Sequence, residues 1–432
     1  MSYANFLARK RLARPDDGIE VGALPASLFH HQESVVRWAA RRGRAAAFLD
    51  TGLGKTRIQL AWAEAMRGNG AALIVCPLSI ARQTSREAAA IDLDARVIRS
   101  QDEVSGPGLW ITNYEMQHAF DPASFGAIVL DESSILKNHE GRTRTALIDR
   151  WGAVPYRLAC TATPAPNDHT ELANHAEFLG AMSRVEMLAA FFVHDDDGWR
   201  LKGHAGPAMY EWMSSWAVAA RWPSDITGDR SDDAGYELPP LNIHGHIVEV
   251  NAAPEGQLFA TSLGGVGGRA AARKATMDAR IERAADLLAH NRPAIAWCGL
   301  NDEADRIAAV VDGAENLHGT LTPDRKVEII EAFVAGDIRV LVSKPSIAGF
   351  GLNLQHAADQ VFVGIGDSYE SYYQAIRRSW RFGQTRPVDV HIVTSDLEAE
   401  VVANVRAKER NANEMTERLV AALNRNREGK VA

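Results

Sequence analysis

Ala45-Ala46-Ala47-Phe48-Leu49-Asp50 runs without interruption into Thr51-Gly52-Leu53-Gly54-Lys55-Thr56, and helical spacing then takes over from Arg57 to Met66. A short, continuous apolar run reads as a strand buried on both faces, the kind found in parallel sheets covered by crossover helices. The turn of small residues lets backbone N–H groups and a helix N-terminus wrap a phosphate chain. The Lys ammonium then reaches the terminal phosphates and the Thr hydroxyl ligates Mg²⁺. The full G-x-x-x-x-G-K-[ST] pattern asks for Gly at position 49, where this chain has Leu49, so the match is partial. Its setting between a strand and a helix lifts it above a chance Gly-Lys-Thr turn.

Outward from this stretch the alternation continues through AALIVCP (71–77), GLWITNY (108–114), AIVLDE (127–132) and YRLACTATP (156–164), with helical segments between. These predict a parallel α/β sheet. From about Asp168 to Pro239 the strands stop, and Leu172, His175, Phe178 and Leu179 give way to Phe191, Phe192, Trp199, Trp212, Trp216 and Trp222. This predicts a helical insertion packed on the first half, its aromatics serving as core. Leu238-Pro239-Pro240-Leu241 marks a boundary, because two prolines fit neither a helix interior nor a central strand. Past the loop Gly264-Gly265-Val266-Gly267-Gly268 the alternation resumes with PAIAWCG (293–299), AENLHG (314–319), IRVLVS (338–343), DQVFVGIG (359–366) and VDVHIVT (388–394). The expected division is 1–167, an α/β lobe; 168–238, the helical insertion; 239–397, a second α/β lobe; and 398–432, a helical tail packing on the second lobe.

Composition sets bounds on this parse. With 46% hydrophobic residues and no triplet or heptad repeat, the 432-residue chain is neither collagen-like, coiled coil nor disordered. Three cysteines, Cys76, Cys160 and Cys298, cannot make a paired disulfide framework and read as buried thiols of a reducing compartment. With no signal-peptide or membrane-spanning stretch, a cytoplasmic protein is expected. The net charge of −8 is a whole-chain average, whereas a nucleic-acid groove needs only a local basic stripe. Candidate stripes are Arg9, Lys10, Arg11 and Arg14; Arg37, Arg41, Arg42 and Arg44; and Arg377, Arg378, Arg381 and Arg386, with Trp380 and Phe382 interleaved. The acidic turn His194-Asp195-Asp196-Asp197-Gly198 lacks the spacing and later Glu of a calcium loop. His244-x-His246 reads as an alternating strand edge, and His30-His31 need no role of their own.

A second chemical signal is Ile128-Val129-Leu130-Asp131-Glu132, an apolar strand ending in two carboxylates. In a nucleotide hydrolase the first such acid holds Mg²⁺ and the second orients and deprotonates the attacking water. Its order after the phosphate loop is what gives it weight.

Further blocks follow in a fixed order: Leu28-Phe29-His30-His31-Gln32, Ile74-Val75-Cys76-Pro77, Ile111-Thr112-Asn113-Tyr114-Glu115, Asp131-Glu132-Ser133-Ser134 with Lys137-Asn138, and Thr161-Ala162-Thr163-Pro164. In the second half come Leu317-His318-Gly319, Ser346 to Leu354, and Gln374-Ala375-Ile376-Arg377-Arg378-Ser379-Trp380-Arg381-Phe382-Gly383-Gln384. In this order they resemble the motifs of superfamily-two helicase-type motors, and within them the Swi/Snf-type double-stranded DNA translocases, over about Leu28 to Val393. The resemblance implies two RecA-like lobes, with ATP and Mg²⁺ bound.

It also implies residue roles. Gln32 would read adenine; Gly52, Gly54, Lys55 and Thr56, with Gly351 and Gln374 from the second lobe, would bind the nucleotide. Thr56 and Asp131 would hold the metal, and Glu132 would activate water. Thr161 and Thr163 would couple ATP to the nucleic-acid path, and Arg378 and Arg381 would be arginine fingers. Guanidinium groups in that role are worth roughly 10³- to 10⁵-fold in rate. Pro77, Ser79, Thr112, Asn113, Lys344 and Asn353 would touch the phosphodiester backbone, which fixes register without reading sequence.

The chain departs from the pattern at Asp50-Thr51, Ser133-Ser134 and Arg377, none of them a group the chemistry needs. It lacks the long accessory regions of chromatin-remodelling members and is more similar to compact bacterial or bacteriophage motors. A monomeric, ATP-driven translocase on double-stranded DNA is therefore expected. A strand-separating DNA or RNA helicase, and an ATP-gated clamp, are the alternatives.

Overall fold

The five apolar runs of the first half are strands, and a sixth short one joins them: β1 (Arg44–Leu49), β2 (Ala71–Cys76), β3 (Ala95–Val97), β4 (Gly108–Asn113), β5 (Phe125–Asp131) and β6 (Tyr156–Thr161). The computed structural model describes residues 16–138, 141–196, 198–248, 275–348, 352–366, 368–395 and 399–431. The basic cluster at Arg9 to Arg14 and the Gly264–Gly268 loop lie outside them, as do Asp197 and Gly351. Among the helices between these strands are α1 (His30–Arg42), α2 (Lys55–Met66), α3 (Ala81–Ala89) and α4 (Arg142–Trp151). After them come α5 (Leu172–Phe178), α6 (Arg184–Phe191), the hairpin β7 (Phe192–Asp195) and β8 (Gly198–Leu201), α7 (Gly206–Met213) and β9 (Ala217–Ala220).

The first sheet is parallel throughout, in the order β3-β4-β2-β5-β6-β1-β9. Two apolar layers cover it. One includes Phe48, Leu73, Leu130 and Trp216, the other Ala47, Ile58, Trp62 and Ile74. Burial on both faces explains why its strands carry no polar alternation.

The second half holds β10 (Leu241–Val248), α8 (Met277–Leu287), β11 (Ala294–Cys298), α9 (Asn301–Val310), β12 (Ala314–Leu317) and α10 (Pro323–Ala335). It continues with β13 (Val340–Ser343), β14 (Asp359–Val363), α11 (Tyr369–Ile376), β15 (Val388–Ser395) and α12 (Ala399–Val431). Its sheet is again parallel, ordered β10-β15-β14-β11-β13-β12. The chain divides into two compact units, Met1–Tyr236 with Arg410–Ala432, and Glu237–Glu409. Among the described residues no helix is long and apolar enough to cross a membrane, and all three cysteines are buried and free.

Two expectations need correction. The stretch after Asp168 is not purely helical, because Ala217–Ala220 adds a strand beside β1, with Ala46 opposite Ala217 and Leu49 opposite Ala220. A four-residue apolar run has no periodicity to separate strand from helix, so its state is set by the partner it finds. Within the aromatic stripe Trp212 and Trp216 are core, whereas Trp199 and Trp222 are exposed. The tail does not pack wholly on the second lobe. From Arg410 it belongs to the first unit, where Met415, Leu419 and Ala422 join the Met209 and Tyr210 layer, and Arg221 binds Asn413 and Glu417.

Candidate functional site

In the first sheet the carboxyl ends of three neighbouring strands carry the predicted chemistry. Phe48 of β1 lies opposite Thr161 of β6, and Cys160 lies opposite Asp131 of β5. The loop after β1, the acid pair after β5 and the threonines after β6 therefore emerge side by side, the usual position of ligands in parallel α/β sheets.

The loop is built by glycine. Gly52 (φ 96°) and Gly54 (φ 77°) are both left-handed, and Gly54 is the residue before α2. Leu49, where the full pattern has glycine, is buried as the last residue of β1. Asp50 closes its own turn, accepting from the Thr51 N–H at 2.6 Å. Lys55 donates from Nζ to the carbonyl oxygens of Leu49 (2.9 Å) and Asp50 (3.3 Å). Burial lowers the proton affinity of its ammonium, while Glu132, Asp50 and Asp131 oppose that shift. Thr56 follows at the second position of α2.

Asp131 is buried and held from several sides. Gln59 Nε2 donates to its Oδ1 at 2.6 Å and the Glu132 N–H to the same oxygen at 3.1 Å, while Tyr114 Oη donates to its backbone carbonyl at 2.6 Å. Burial raises its carboxyl above the ordinary range, opposed by Gln59 and Lys55. Glu132 has φ 54° and ψ 52°; among the described residues only Asp92 shares a positive φ without being glycine. Such a conformation costs about 1–3 kcal/mol and persists where surrounding structure over-determines it. Thr161 Oγ1 donates to Glu132 Oε2 at 3.5 Å and accepts from the Thr163 N–H at 3.1 Å.

Gln32 sits against the same loop. Its Oε1 accepts from the Phe29 N–H at 3.1 Å and its Nε2 donates to the Leu53 carbonyl at 3.4 Å. A Cβ on Gly54 would come within 2.1 Å of that nitrogen. His31 Nε2 bonds the same Leu53 carbonyl at 3.1 Å, so His31 does have a role, in holding the phosphate loop. Phe29, half exposed, stacks on His31, and Tyr236 meets both rings edge to face.

These residues fit a nucleoside triphosphate with Mg²⁺. A left-handed glycine turn and a helix N-terminus offer N–H groups to phosphate, and a buried carboxylate beside a lysine suits a hard cation that keeps waters and phosphate oxygens as its other ligands. Thr56 and Asp131 are the groups that would hold the ion. Among the described residues no cluster of three or more His, Cys, Asp or Glu forms an all-protein cage.

Of the backbone-contact candidates, Ser79 is exposed and Pro77 half-buried in the turn after β2. Thr112 is buried, and Asn113 Oδ1 accepts from the Met116 N–H at 2.9 Å. In the second unit Lys344 is half-buried after β13 and Asn353 exposed. Arg378 is turned inward: Nε donates to the Gln374 carbonyl at 3.0 Å, Nη2 to Gln374 Oε1 and Nη1 to the Leu352 carbonyl at 3.4 Å. Arg377 lies over the Trp380 ring at 4.3 Å, and Arg381 remains half exposed. His244 bonds Asp389 and His246 bonds His391, each at 3.0 Å, across β10 and β15.

Gln59, Tyr114 and His31 were not anticipated. Gln59 had a signal, being one helical turn after Lys55 and so on the same face of α2. Tyr114 and His31 lie inside two of the quoted blocks, but nothing in those blocks marks either as a support for Asp131 or for the phosphate loop.

Residues 279–383 match the helicase conserved C-terminal domain family. Over 100 residues, 22% of the chain, the sequence is 35% identical to the TATA-binding protein-associated factor BTAF1 of Arabidopsis thaliana, a stretch covering 5% of that protein. Among solved structures, the DUF1998 helicase MrfA bound to DNA and AMPPNP aligns with 96% of this chain and 58% of its own at TM-score 0.58 and 14% identity. The Sulfolobus solfataricus SWI2/SNF2 ATPase core in complex with dsDNA aligns over 93% and 98% of the two chains, at TM-score 0.44 and 19% identity. The two parallel-sheet units are RecA-like lobes.

Proposed function

We propose that this chain, whose residues 279–383 match the helicase conserved C-terminal domain family, is a superfamily-two ATPase of the Swi/Snf type: a motor that couples ATP hydrolysis to movement along double-stranded DNA with little sequence specificity. The observation that carries the ATPase part is the convergence of Lys55, Asp131, Glu132 and Thr161 at three adjacent strand ends. The resemblance of the motif set to duplex translocases supports the choice of duplex DNA. The DNA complex of MrfA is in keeping with a nucleic-acid partner.

In this reading Lys55 and the loop N–H groups bind the phosphates, and Thr56 and Asp131 hold Mg²⁺, which when bound neutralises charge on the phosphate oxygens. Glu132 orients the attacking water and takes its proton, while Thr161 fixes the carboxylate that does so. Arg381, the more exposed of the two candidate fingers, is the one assigned to stabilise charge in the transition state; Arg378 bridges the Leu352 carbonyl and the Gln374 side chain. Backbone contacts through Ser79, Asn113, Lys344 and Asn353 would leave affinity strongly dependent on salt.

The test is the steady-state ATPase rate without nucleic acid and with duplex DNA, single-stranded DNA or RNA, using Lys55→Ala as blank. Stimulation chiefly by duplex DNA is expected. Stimulation only by single strands or RNA would replace the reading with a strand-separating helicase, and a near-zero rate under every condition with a clamp. Unchanged turnover in Lys55→Ala or Glu132→Gln would overturn the site itself.

A further inference from the structure

His175 is a buried titratable side chain that the hydrolysis scheme above leaves without work. It lies on α5, outside every motif, yet its Nε2 shares a 3.0 Å hydrogen bond with Ser133 Oγ, and both residues are fully buried. Ser133 directly follows Glu132 and opens the 3-10 turn Ser133–Lys137. The neighbouring Asn174, also fully buried, donates from Nδ2 to the carbonyls of Leu136 (2.8 Å) and Lys137 (3.1 Å) in that same turn. Arg184 in turn donates to Asn174 Oδ1 at 3.4 Å and to the Thr170 carbonyl at 2.8 Å, fixing the helix that carries the pair. On its other side the imidazole meets Phe48 edge to face at 5.3 Å, one residue from the end of the strand that leads into the phosphate loop.

Adjacent residues of one short helix thus grip the start and the end of the turn immediately after Glu132. Glu132 is the residue that needs such support, because its left-handed backbone is unfavourable for any side chain but glycine and asparagine-like ones. We propose that His175, with Asn174, is a positioning residue for hydrolysis: through Ser133 it locks the strained backbone of Glu132 so that the carboxylate faces the reacting water. This rests on the assignment of Glu132 as the water-activating acid. Burial lowers the imidazole to about 4, with the Glu171 and Ser133 carbonyls opposing the shift, so at neutral pH the ring is uncharged and offers Ser133 a hydrogen bond without adding a charge beside Asp131 and Glu132. Any buried imidazole needs a hydrogen-bond partner; what distinguishes this one is that its partner, together with both Asn174 contacts, lies on the single turn that follows Glu132.

The experiment measures kcat and KM for ATP, with nucleotide binding measured separately, in Ser133→Ala, His175→Leu, His175→Gln, the Ser133→Ala/His175→Leu pair and Glu132→Gln. Misplacing a catalytic group by about 1 Å is worth roughly 10²-fold, so Ser133→Ala and His175→Leu should each lower kcat by about 10- to 100-fold while leaving KM within about threefold. The pair should be little worse than the more severe single variant, because both remove the same bond. His175→Gln, whose amide reaches nearly as far as Nε2, should recover most of the turnover. Wild-type kcat in Ser133→Ala, or losses in KM equal to those in kcat, would overturn the inference, and Ser133→Ala decides alone should His175→Leu fail to fold. If Glu132→Gln keeps its turnover, the underlying assignment falls and this inference with it. If Glu132→Gln is inactive and Ser133→Ala is normal, only the inference falls.

Discussion

Removing the Arg280 guanidinium should cost the second unit several kilocalories per mole, and the structure allows the figure to be worked out. Arg280 and Glu303 form a salt bridge of 2.7 Å in which neither side chain is exposed. Arg280 joins α8 to α9 through Glu303, to the end of β14 through the Val363 carbonyl at 2.8 Å, and to Thr276 Oγ1 at 3.1 Å. Glu303 Oε2 accepts from the N–H groups of Gly299 and Leu300 at 2.9 and 3.0 Å, capping α9. Arg280→Met takes the guanidinium away from a fully buried carboxylate, a change that costs about 3–5 kcal/mol. For a unit of this size each kilocalorie moves the midpoint by about 2–4 °C, so the melting transition of the second unit should fall by roughly 6–20 °C.

Adding Glu303→Gln to that variant should recover much of the loss. The amide oxygen still accepts from Gly299 and Leu300, and replacing a buried ion pair by a neutral pair is often close to neutral in energy. Thermal unfolding of the wild type, both single variants and the double variant closes the cycle, with a coupling of about 1–3 kcal/mol expected between contacting groups. A loss below about 1 kcal/mol in Arg280→Met, or strictly additive losses in the double variant, would refute the reasoning.

Three further outcomes follow from the first unit. Gln59→Leu removes the 2.6 Å donor from Asp131, so its carboxyl should rise further and the Mg²⁺ dependence of ATP turnover should shift to higher concentration; an unchanged Mg²⁺ titration would exclude that role. Gly54→Ala places a Cβ 2.1 Å from Gln32 Nε2 at a φ of 77°, and should weaken ATP binding at least tenfold, about 1.4 kcal/mol, as read by nucleotide titration. His175 is held near 4 when folded against 6.5 when unfolded, so its contribution is complete above pH 6.5 and is lost as pH falls towards 4, by up to about 3 kcal/mol. Denaturant unfolding of wild type and His175→Gln across that window should therefore show a steeper decline in the wild type.

How much of this was legible beforehand depended on whether a residue's role was local. Leu49, Asp131 and Thr161 end strands that are buried on both faces, and such strands announce themselves as continuous apolar runs, so the sheet and the three neighbouring strand ends at the candidate site followed from pattern alone. Ala217–Ala220 did not, since its strand state exists only through pairing with β1 across more than 160 positions of chain. The same holds for Met415 and Leu419, whose helical spacing is plain but whose partner layer around Tyr210 is set by tertiary packing. At the candidate site, the residues proposed to meet phosphate or water carry motif spacing because that chemistry would fix their distance from one another. Residues that hold them are fixed chiefly by the three-dimensional environment of the group they hold, as with His175 beside Ser133. His175 lies 42 positions from Ser133 on a short helix whose Leu172, Ala173, Ala176 and Phe178 are buried beside it, where a histidine reads as core, and only the fold reveals that the core position borders the acid pair. Support for a strained residue such as Glu132 is therefore what a one-dimensional reading loses first, because strain itself leaves no mark in the sequence.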